Sequence, residues 1–561
     1  MVGLGGWGVD GAKVNAGVSV TAGDIVMQGG THFAAGTLIG SGGGSTGGSN
    51  PANGSVSGEI SVTTTSGGIT MNTETNGNAF AMIGNGGANV GNLNGSTPTN
   101  LEGAIQVNSF GGITLDATRG TGTNAYTQIG HGGLAANVGA ISGEIVVEAG
   151  SGGSGELTLE GGASTGRYAQ VGHGGYNGSA AISASTVTTL SEGATTLTSG
   201  TSGSGYAQIG HGGFSWEGDI SQSGVGVSGG DLSLKGVNSY AQVGHGGGNA
   251  GVAGTSITDS LIETTVDGAT TLSGGNGDSA YAQIGHGGYL WEGDLLEGEV
   301  DLASGSLTAS GNNSYAQVGH AGFGSDVDMV TNSTIRVDVD DFIDLNGGAG
   351  TFHYAQIGHG GTNNSSAAGI NDLVVSNSHI HLNTDGGAGA GDITLDGSGS
   401  NGYAQIGHGG TRSDSTPNFG TYSGDIIIGA ADDILLNSGA STDAYTQIGH
   451  GGEGGTGSGS SGVYDGDISL NASGNVSVKG GSGTGAYSQI GHGGDTVQAV
   501  GSGAIDVVAG GAVSVSGAAG GTDGYAQIGH GGNGNDENQG VEGEHIAVTG
   551  LSGGVSVLGG G

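Results

Sequence analysis

The chain has 561 residues, of which 138 are Gly, 48 are Asp or Glu and seven are Lys or Arg, so its formal net charge is −41 at pH 7. The scattered cations argue against a nucleic acid or an anionic membrane as partner, because phosphate binding needs clustered Lys and Arg. The lack of cysteine excludes disulfides, thiolate metal sites and thiol catalysis. The acidic balance suits solubility and divalent cations instead.

The apolar residues are few but regularly placed. They make up 34% of the chain and aromatic residues 5%, which is thin for compact globular cores and enough for a narrow core of single apolar layers. A glycine-rich acidic composition favours disorder, but apolar alternation and a long-period repeat oppose it. No apolar run reaches 18 residues, so the sequence predicts no transmembrane segment.

An octapeptide of the form YAQIGHGG recurs along the chain. The opening residues MVGLGG match the latter part of one copy, with Val2 in place of its Ile, and TLIGSGG is a degenerate copy centred on Ile39. Twelve clear copies follow, with their Ile or Val at Ile83, Ile129, Val171, Ile209, Val243, Ile284, Val318, Ile357, Ile406, Ile448, Ile490 and Ile528. The spacing of 34 to 49 residues, with a mean near 40, predicts about 13–14 repeats of one architecture.

Two shorter motifs recur between the octapeptides. The first, Gly-acid-Ile-x-Val/Leu, occurs as GDIVM at 23–27, GEISV at 58–62, GEIVV at 143–147, GDITL at 391–395, GDIII at 424–428 and GDISL at 466–470. The second, Gly-x-apolar-x-apolar, occurs as GITL at 112–115, GELTL at 155–159, GDLSL at 230–234, GNVSV at 474–478 and GAVSV at 511–515. Both alternate with period two and favour β-branched residues, as short strands do, and Gly and Ser mark the turns between them.

The octapeptide is a third strand, in which Tyr and Gln share one face and Ala and Ile the other. Three strands and three turns per period predict an all-β fold, a three-sided parallel β-solenoid with about one coil per 40-residue repeat. It would run as a single continuous solenoid over residues 1–561, with roughly 60 Å of axis at about 4.8 Å per coil. Two shorter coils per repeat are an alternative that would double this length.

One interval is longer than the others. Between Ile357 and Ile406 the spacing is 49 residues, and it holds an extra alternating stretch, NDLVVSNSHIHLN at 371–383. We predict that this stretch is an insertion looped out of one coil, because each coil of a solenoid contacts only its neighbours and tolerates such insertions.

Both ends of the sequence fall within a repeat. The chain begins with part of an octapeptide and ends with GGVSVLGGG at 553–561, a strand that elsewhere precedes the octapeptide. Uncapped solenoid ends expose unpaired strand edges, which favour association. Either the chain is a window of a longer array, which we prefer and which makes Met1 an internal residue, or copies dock head to tail along a fibre. The N-terminus lacks the features of a signal peptide.

Eleven octapeptides carry His at one position, and the three earliest copies have Leu4, Ser41 and Asn85 there. These histidines are His131, His173, His211, His245, His286, His320, His359, His408, His450, His492 and His530. Stacking in register predicts a file of imidazoles that bond neighbouring rings, backbone or water. A metal-binding or proton-conducting row is the alternative, although a file supplies one ligand per coil and zinc needs convergent ligands. Strict alternation places His on the Ile side, but the flanking Gly residues leave its facing open.

The histidine file predicts an effect of pH. Two charges ~5 Å apart at an effective dielectric of 20 repel by roughly 3 kcal/mol, so stacked imidazoles cannot all be protonated. Their folded pKa values should therefore be lowered, and stability should be lost as the pH falls below the unfolded His pKa near 6.5.

The Tyr and Gln of the octapeptide predict two further files. The tyrosines are Tyr126, Tyr168, Tyr206, Tyr240, Tyr281, Tyr315, Tyr354, Tyr403, Tyr445, Tyr487 and Tyr525. With Phe80 they would form an aromatic stack, and the Gln two positions later an amide ladder. In-register stabilisation is the preferred interpretation, and a lateral interface between fibres is the alternative.

Two other groups are candidate sites. Asp338, Asp340 and Asp341 are a candidate calcium site, although solvated turns explain them as well, and GGNGND at 531–536 approaches the calcium-binding repeat only once. Calcium is the one cofactor that the sequence suggests. Trp216 and Trp291 are candidates for stacking on sugar rings, with corner packing as the preferred interpretation. No local cluster of Asp with Lys or Arg is visible, so we predict that the chain is not an enzyme.

The motifs GDIxV, GxLxL and YAQIGHGG together resemble the filamentous-haemagglutinin-like exoproteins of Gram-negative bacteria, over essentially the whole chain and at the level of the repeat. The resemblance implies a right-handed parallel β-helix in a large secreted adhesin. Members usually carry an N-terminal secretion domain with Asn-Pro-Asn-Gly-type motifs, and the nearest segment here, NPANG at 50–54, departs from them.

The sequence thus predicts a structural protein of the cell surface or extracellular space, an adhesin shaft or fibre subunit. Its expected partner is a second copy, bound head to tail or laterally, with a host or matrix glycan or protein as a further partner. The alternative is a module that binds a polysaccharide or a divalent metal on a repeated face of the solenoid.

Overall fold

The structure is a computed structural model that describes residues 2–3, 14–30, 35–42, 55–74, 77–90, 100–251, 255–324, 329–351, 353–362, 373–384, 391–411, 420–453, 462–495, 499–518, 520, 522–532 and 545–560. The chain divides into two compact units, one formed by Met1–Gly268 with Gly285–Gly293 and the other by Ala269–Ile284 with Asp294–Gly561. Within the described residues every regular element is a β-strand, and no helix is long and apolar enough to cross a membrane.

In the first unit the strands form three parallel sheets. The first sheet contains Val14–Asn15, Val18–Ala22, Val56–Ser57, Ile60–Thr64, Asn100–Glu102, Ile105–Ser109, Asn137–Ser142, Ile145–Ala149, Ser179–Ser183, Thr186–Ser191, Ile220–Ser221, Gly224–Gly229 and Thr255–Val266. The second sheet contains Ile25–Gln28, Ile69–Asn72, Ile113–Asp116, Leu157–Glu160, Thr195–Thr198 and Leu232–Lys235. The octapeptide sheet contains Gly36–Ile39, Phe80–Ile83, Tyr126–Ile129, Tyr168–Val171, Ala207–Ile209 and Ala241–Val243.

The second unit repeats this arrangement. Its first sheet contains Gly293–Ser304, Met329–Thr331, Thr334–Val339, Val374–Ser376, His379–Thr384, Thr421–Ser423, Ile426–Ala431, Gly462–Asp465, Ile468–Ala472, Ala499–Ser502, Ile505–Ala509 and Ile546–Gly550. Its second sheet contains Ala269–Ser273, Ser306–Ser310, Ile343–Asn346, Ile393–Asp396, Ile434–Asn437, Val476–Lys479, Ala512–Ser516 and Gly554–Leu558. Its octapeptide sheet contains Ala282–Ile284, Tyr315–Val318, Tyr354–Ile357, Tyr403–Ile406, Tyr445–Ile448, Tyr487–Ile490 and Tyr525–Ile528.

Within each unit, each octapeptide pairs directly with the next one along the chain. Tyr126 lies opposite Tyr168 and Gln128 opposite Gln170, in parallel register, and the opening Val2 forms a parallel bridge with Ile39. One repeat is therefore one coil, and the fold is a three-sided parallel β-solenoid, as predicted. The reading with two coils per repeat is wrong. Continuity of one solenoid over residues 1–561 stays a prediction.

The first sheet takes two strands from most coils, which the sequence analysis missed. Asn137–Ser142 and Ile145–Ala149 follow each other in this sheet, separated by Gly143. Gly143 has φ +143, and a Cβ there would overlap the carbonyl oxygen of Gly103 in the adjacent coil. The prediction of three strands per coil is thus corrected to four strands on three sheets in most coils, with Gly143 at the break within the first sheet of its own coil.

Two assignments of the sequence analysis are wrong. The stretch 371–383 is not a looped-out insertion: its strands pair in register on both sides, with Ile380 opposite Ile335 and Ile426. This stretch alternates between apolar and polar residues because it supplies the two first-sheet strands of its coil. Residues 371 and 372 lie outside the described residues. The Gly-acid-Ile motif does not mark one strand of the coil. Its copies at 23–27 and 391–395 lie in the second sheet, whereas the copy at 58–62 lies in the first sheet.

The core is built from alternate residues of every strand. In Ile105–Ser109 the first, third and fifth side chains are buried, as strand period two requires. The octapeptide differs, since all four residues of Tyr168–Val171 are buried. The loop that follows the octapeptide covers its outer face and has its own ladder, in which Gly133 N–H donates to the Gly174 carbonyl at 2.8 Å. The octapeptide is therefore enclosed on both sides.

Candidate functional site

The octapeptide histidines lie inside the coils and stack within each unit. Ring centroids of adjacent histidines are 4.7–5.0 Å apart. Within each unit the backbone N–H of a His donates to Nδ1 of the His in the next coil at 3.0–3.2 Å, from His131 to His286 and from His320 to His530. The ring thus accepts a bond from the backbone of the neighbouring coil, and the facing that the sequence left open is toward the interior.

The second ring nitrogen bonds the first sheet. Nε2 of His131 donates to the Gly103 carbonyl at 2.7 Å, and Nε2 of His450 donates to the Gly424 carbonyl at 2.7 Å. Seven further histidines make the same kind of bond, namely His173, His211, His245, His286, His408, His492 and His530. Because a backbone N–H can only donate and a carbonyl can only accept, these partners fix a neutral ring with its proton on Nε2.

This bonding opposes protonation of the rings. Burial lowers the pKa of His131, His245 and His408 to about 4, and the pKa of His211 is lowered by burial and by its stacked neighbours. With both nitrogens of such a ring engaged, neither is available to a metal, and no ring passes a proton to the next ring. The metal-binding and proton-conducting alternatives are therefore wrong for these rings.

Asn85 shows why other residues can replace His. Its Oδ1 accepts the backbone N–H of Ser41 at 2.9 Å, and its Nδ2 donates to the Glu102 carbonyl at 3.1 Å. These are the same two roles that His131 performs with Asn85 N–H, at 2.8 Å, and with the first sheet. Asn85 therefore supplies an acceptor and a donor from one side chain, as the imidazole of His131 does in the next coil.

The octapeptide tyrosines form stacks within each unit. Adjacent rings lie 4.7–4.9 Å apart with interplanar angles of 0–8°, and Phe80 stacks on Tyr126 at 5.2 Å. All except Tyr525 are buried, and burial raises the pKa of Tyr168. Rings enclosed in this way cannot form a lateral interface between fibres, so that alternative is corrected.

The glutamines stack in register but do not form the amide ladder that the sequence predicted. Nε2 of Gln128 donates to the carbonyls of Gly172 and Gly174 at 2.9 and 3.0 Å, and Gln405 bonds Gly449 and Gly451 at 2.9 and 2.7 Å. The chain turns at these glycines, so their carbonyls point toward the amide. Gln therefore links the turn of one coil to the strand of another.

The acid of the Gly-acid-Ile motif has a structural role that the sequence analysis missed. Asp425 Oδ1 accepts the backbone N–H of Asp467 at 3.0 Å, and Asp467 Oδ1 accepts that of Ala504 at 2.8 Å. Nδ1 of His379 accepts the N–H of Asp425 at 3.0 Å in the same way. These acids therefore join coils from the outside of the first sheet.

The two tryptophans are not sugar-binding residues. Trp216 and Trp291 are 0% exposed, and Nε1 of Trp291 donates to the Gly293 carbonyl at 2.9 Å. Their rings pack against glycines: a Cβ at Gly178 would lie 2.6 Å from the Trp216 ring. A sugar ring cannot reach a side chain buried in this way, so the glycan prediction is corrected.

Replacing either tryptophan should cost stability. We expect Trp216→Ala and Trp291→Ala each to lower the free energy of unfolding by about 3–5 kcal/mol, because a large side chain is removed from a packed interior. Denaturant unfolding of the full chain measures this loss. A glycan-binding activity abolished by either variant at unchanged stability would contradict the buried, structural role.

The predicted calcium residues do not converge. Asp338, Asp340 and Asp341 are exposed, and Asp338 Oδ1 accepts a hydrogen bond from Asn383 Nδ2 at 2.7 Å. In the part of the chain that the structure describes, no group of three or more His, Asp or Glu side chains stands ready to hold a metal. The segments at 50–54 and 533–536, which carry most of NPANG and GGNGND, lie outside the described residues.

A buried arginine is a further residue that the sequence analysis missed. The Arg167 guanidinium donates to the carbonyls of Ala117 and Gly122 at 2.8 and 3.0 Å, to Thr73 Oγ1 at 2.6 Å and to the Arg119 carbonyl. Burial lowers its pKa. The side chain ties segments of three coils together. Its place directly before Tyr168 was the available signal, because the other repeats have Gly, Ala or Ser there, except the one with His353.

Comparison of the chain with known protein families, with curated proteins and with solved structures gives no match in any of the three. The class of protein is therefore defined by the fold itself. Three parallel sheets, one coil per repeat and side-chain files that join the coils make the chain a three-sided parallel β-solenoid repeat protein.

Proposed function

We propose that the chain is a structural protein of the cell surface or extracellular space, an adhesin shaft or fibre subunit of the filamentous-haemagglutinin-like kind. One observation carries the proposal: the His and Gln side chains that recur in the octapeptides form hydrogen bonds between coils. Both ring nitrogens of His131 and the amide of Gln128 bond backbone groups. A side chain that hydrogen-bonds adjacent coils in repeat after repeat suits a structural shaft, whereas an active site needs such a side chain only once.

Self-association, head to tail or lateral, belongs to this proposal. In Gly554–Leu558 the side chains of Val555 and Val557 are 51% and 73% exposed, whereas Val513 and Val515 one coil earlier are buried. A further coil of the same repeat, whichever polypeptide supplies it, would cover these apolar side chains and pair the strand edge. The alternative of a polysaccharide-binding module loses its support with the burial of the tryptophans.

Electron microscopy of the purified chain tests the proposal. We expect filaments to form without any added ligand and to persist in a chelator, because cohesion comes from backbone pairing and buried side chains. A glycan array probed in parallel should give no specific binding. Compact single particles together with saturable binding to one glycan class would contradict the structural role and favour the binding module.

A further inference from the structure

The outer face of the first sheet carries a groove in the first unit. In the strand Gly224–Gly229 the outward-facing positions begin with Gly224 and Gly226, while the side chains between them are buried. At the position of Gly226 the two adjacent coils have Thr188 and Glu263. A strand that lacks side chains at these positions thus lies between two strands that carry them, and the three strands form the floor and the two walls of the groove.

Neither glycine is needed by the fold of the chain. Both have φ outside the left-handed region that favours glycine. A Cβ at Gly226 would meet its nearest atom, in Thr188, at 3.8 Å, and a Cβ at Gly224 would meet the Leu261 carbonyl oxygen at 3.4 Å, so both are ordinary contacts. Glycine in the interior of a strand weakens the strand and often marks a place where a ligand or another backbone approaches closely. The groove is therefore open to a partner.

Two exposed leucines stand at opposite corners of the groove. Leu190 lies opposite Ser228 in the preceding coil, and Leu261 lies beside Gly224 in the following coil. Their side chains are 37% and 38% exposed, so a partner that covers them gains apolar burial. With about 4.8 Å between coils, the walls stand roughly 10 Å apart. This width admits an extended polypeptide and is too narrow for a helix, whose diameter with side chains is about 10–12 Å.

The rim of the groove is acidic. Glu263 stands on one wall, and four further acids are exposed near the two ends of the groove, namely Glu192, Asp231, Asp259 and Asp267. From residue 179 to residue 268 the sequence has one cation, Lys235, and it belongs to the second sheet. This charge suits a basic partner. A second copy of the chain fits poorly, because each copy carries a formal net charge of −41.

We propose that the groove binds an extended segment of a partner protein that carries Lys or Arg side chains. Small or apolar side chains of the segment lie over Gly224 and Gly226 and contact Leu190 and Leu261. Its cations pair with Glu263 and the other acids of the rim. The backbone of the floor strand is already paired on both sides, so recognition depends on side chains and not on strand addition. This partner goes beyond the proposed structural function, and its binding does not require the chain to form filaments.

Fluorescence anisotropy with a labelled peptide of alternating Lys and Leu tests the groove. We expect saturable binding to the full chain that weakens as the salt concentration rises, because the paired charges are exposed. The same peptide with Glu in place of Lys should not bind. Gly226→Val should weaken the binding at least about tenfold, because its side chain occupies the floor of the groove. Glu263→Gln should weaken it by about threefold, as the loss of one exposed ion pair does.

Two controls separate the groove from the general acidity of the chain. Ser61→Val places the same side chain at the matching position of a coil that does not border the groove, and Glu59→Gln removes another exposed acid. Both variants should bind the peptide as the unaltered chain does. Gly226→Val should fold, because Val is a good strand former, and its filaments should be unchanged.

Equal peptide binding by Gly226→Val and Ser61→Val, or no saturable binding by the unaltered chain, would overturn the groove as a peptide site and leave the proposed structural function untouched. A neutral oligosaccharide or a second copy that bound the unaltered chain but not Gly226→Val would also overturn it.

Discussion

Lowering the pH from 7.5 to 5 should lower the melting temperature of the chain markedly. The folded pKa of His131, His245 and His408 is about 4, below the unfolded value near 6.5. Between these values the unfolded chain binds more protons, so the stabilisation is complete above pH 6.5 and declines as the pH falls toward 4. At pH 5 each of these three rings should cost about 2 kcal/mol of unfolding free energy. Calorimetry across this range measures the loss.

His→Asn variants are the matched control, since Asn85 already performs both bonds of the ring in its own coil. The triple variant His131→Asn/His245→Asn/His408→Asn should fold at pH 7.5, because the acceptor and donor remain. Its melting temperature should fall less between pH 7.5 and 5. Equal melting of the unaltered chain at both pH values, or the same acid sensitivity in the triple variant, would contradict the assignment of the effect to these rings.

Gly210→Ala should prevent regular stacking of one coil. Gly210, the first glycine of its octapeptide, has φ +143, and a Cβ there would overlap the carbonyl oxygen of Gly244 in the next coil. The substitution therefore adds a backbone clash to conformational strain, and we expect a loss of at least about 3 kcal/mol. Denaturant unfolding, together with limited proteolysis near this coil, measures the effect.

Two other glycines separate the cost of the backbone clash from the cost of the conformational strain. Gly153 has φ +102 with no atom within 4 Å of an added Cβ, so Gly153→Ala should cost only the conformational strain, about 1–3 kcal/mol. A Cβ at Gly226 would meet its nearest neighbour at 3.8 Å without positive φ, so Gly226→Ala should be close to neutral. If Gly210→Ala were no worse than Gly153→Ala, the close contact between coils would not be what requires glycine.

The repeat predicted the fold because a parallel solenoid brings each residue against its own copy in the next coil. Tyr126 meets Tyr168, and Ile105 meets Ile145, so the spacing of identical motifs is also the register of the pairing. Alternation within a strand then separates core from surface. The strand before Gly143 was missed because it carries no recurrent motif, and 371–383 was misjudged because its alternation is ordinary for the first sheet.

The sites depended on contacts that no motif encodes. Trp216 was a candidate for stacking on sugar rings, with corner packing preferred, and the structure buries it.

The sequence by itself determined the period, the parallel register and the three-sided solenoid, since each of these follows from local alternation repeated at constant spacing. Only the tertiary structure decided which faces are covered. The loop after the octapeptide encloses Tyr and Gln, and the break in the first sheet supplies the carbonyl that His131 Nε2 meets. Burial and hydrogen-bond partners arise from segments distant in the chain, so a side chain's chemical availability is settled by packing and not by its own motif.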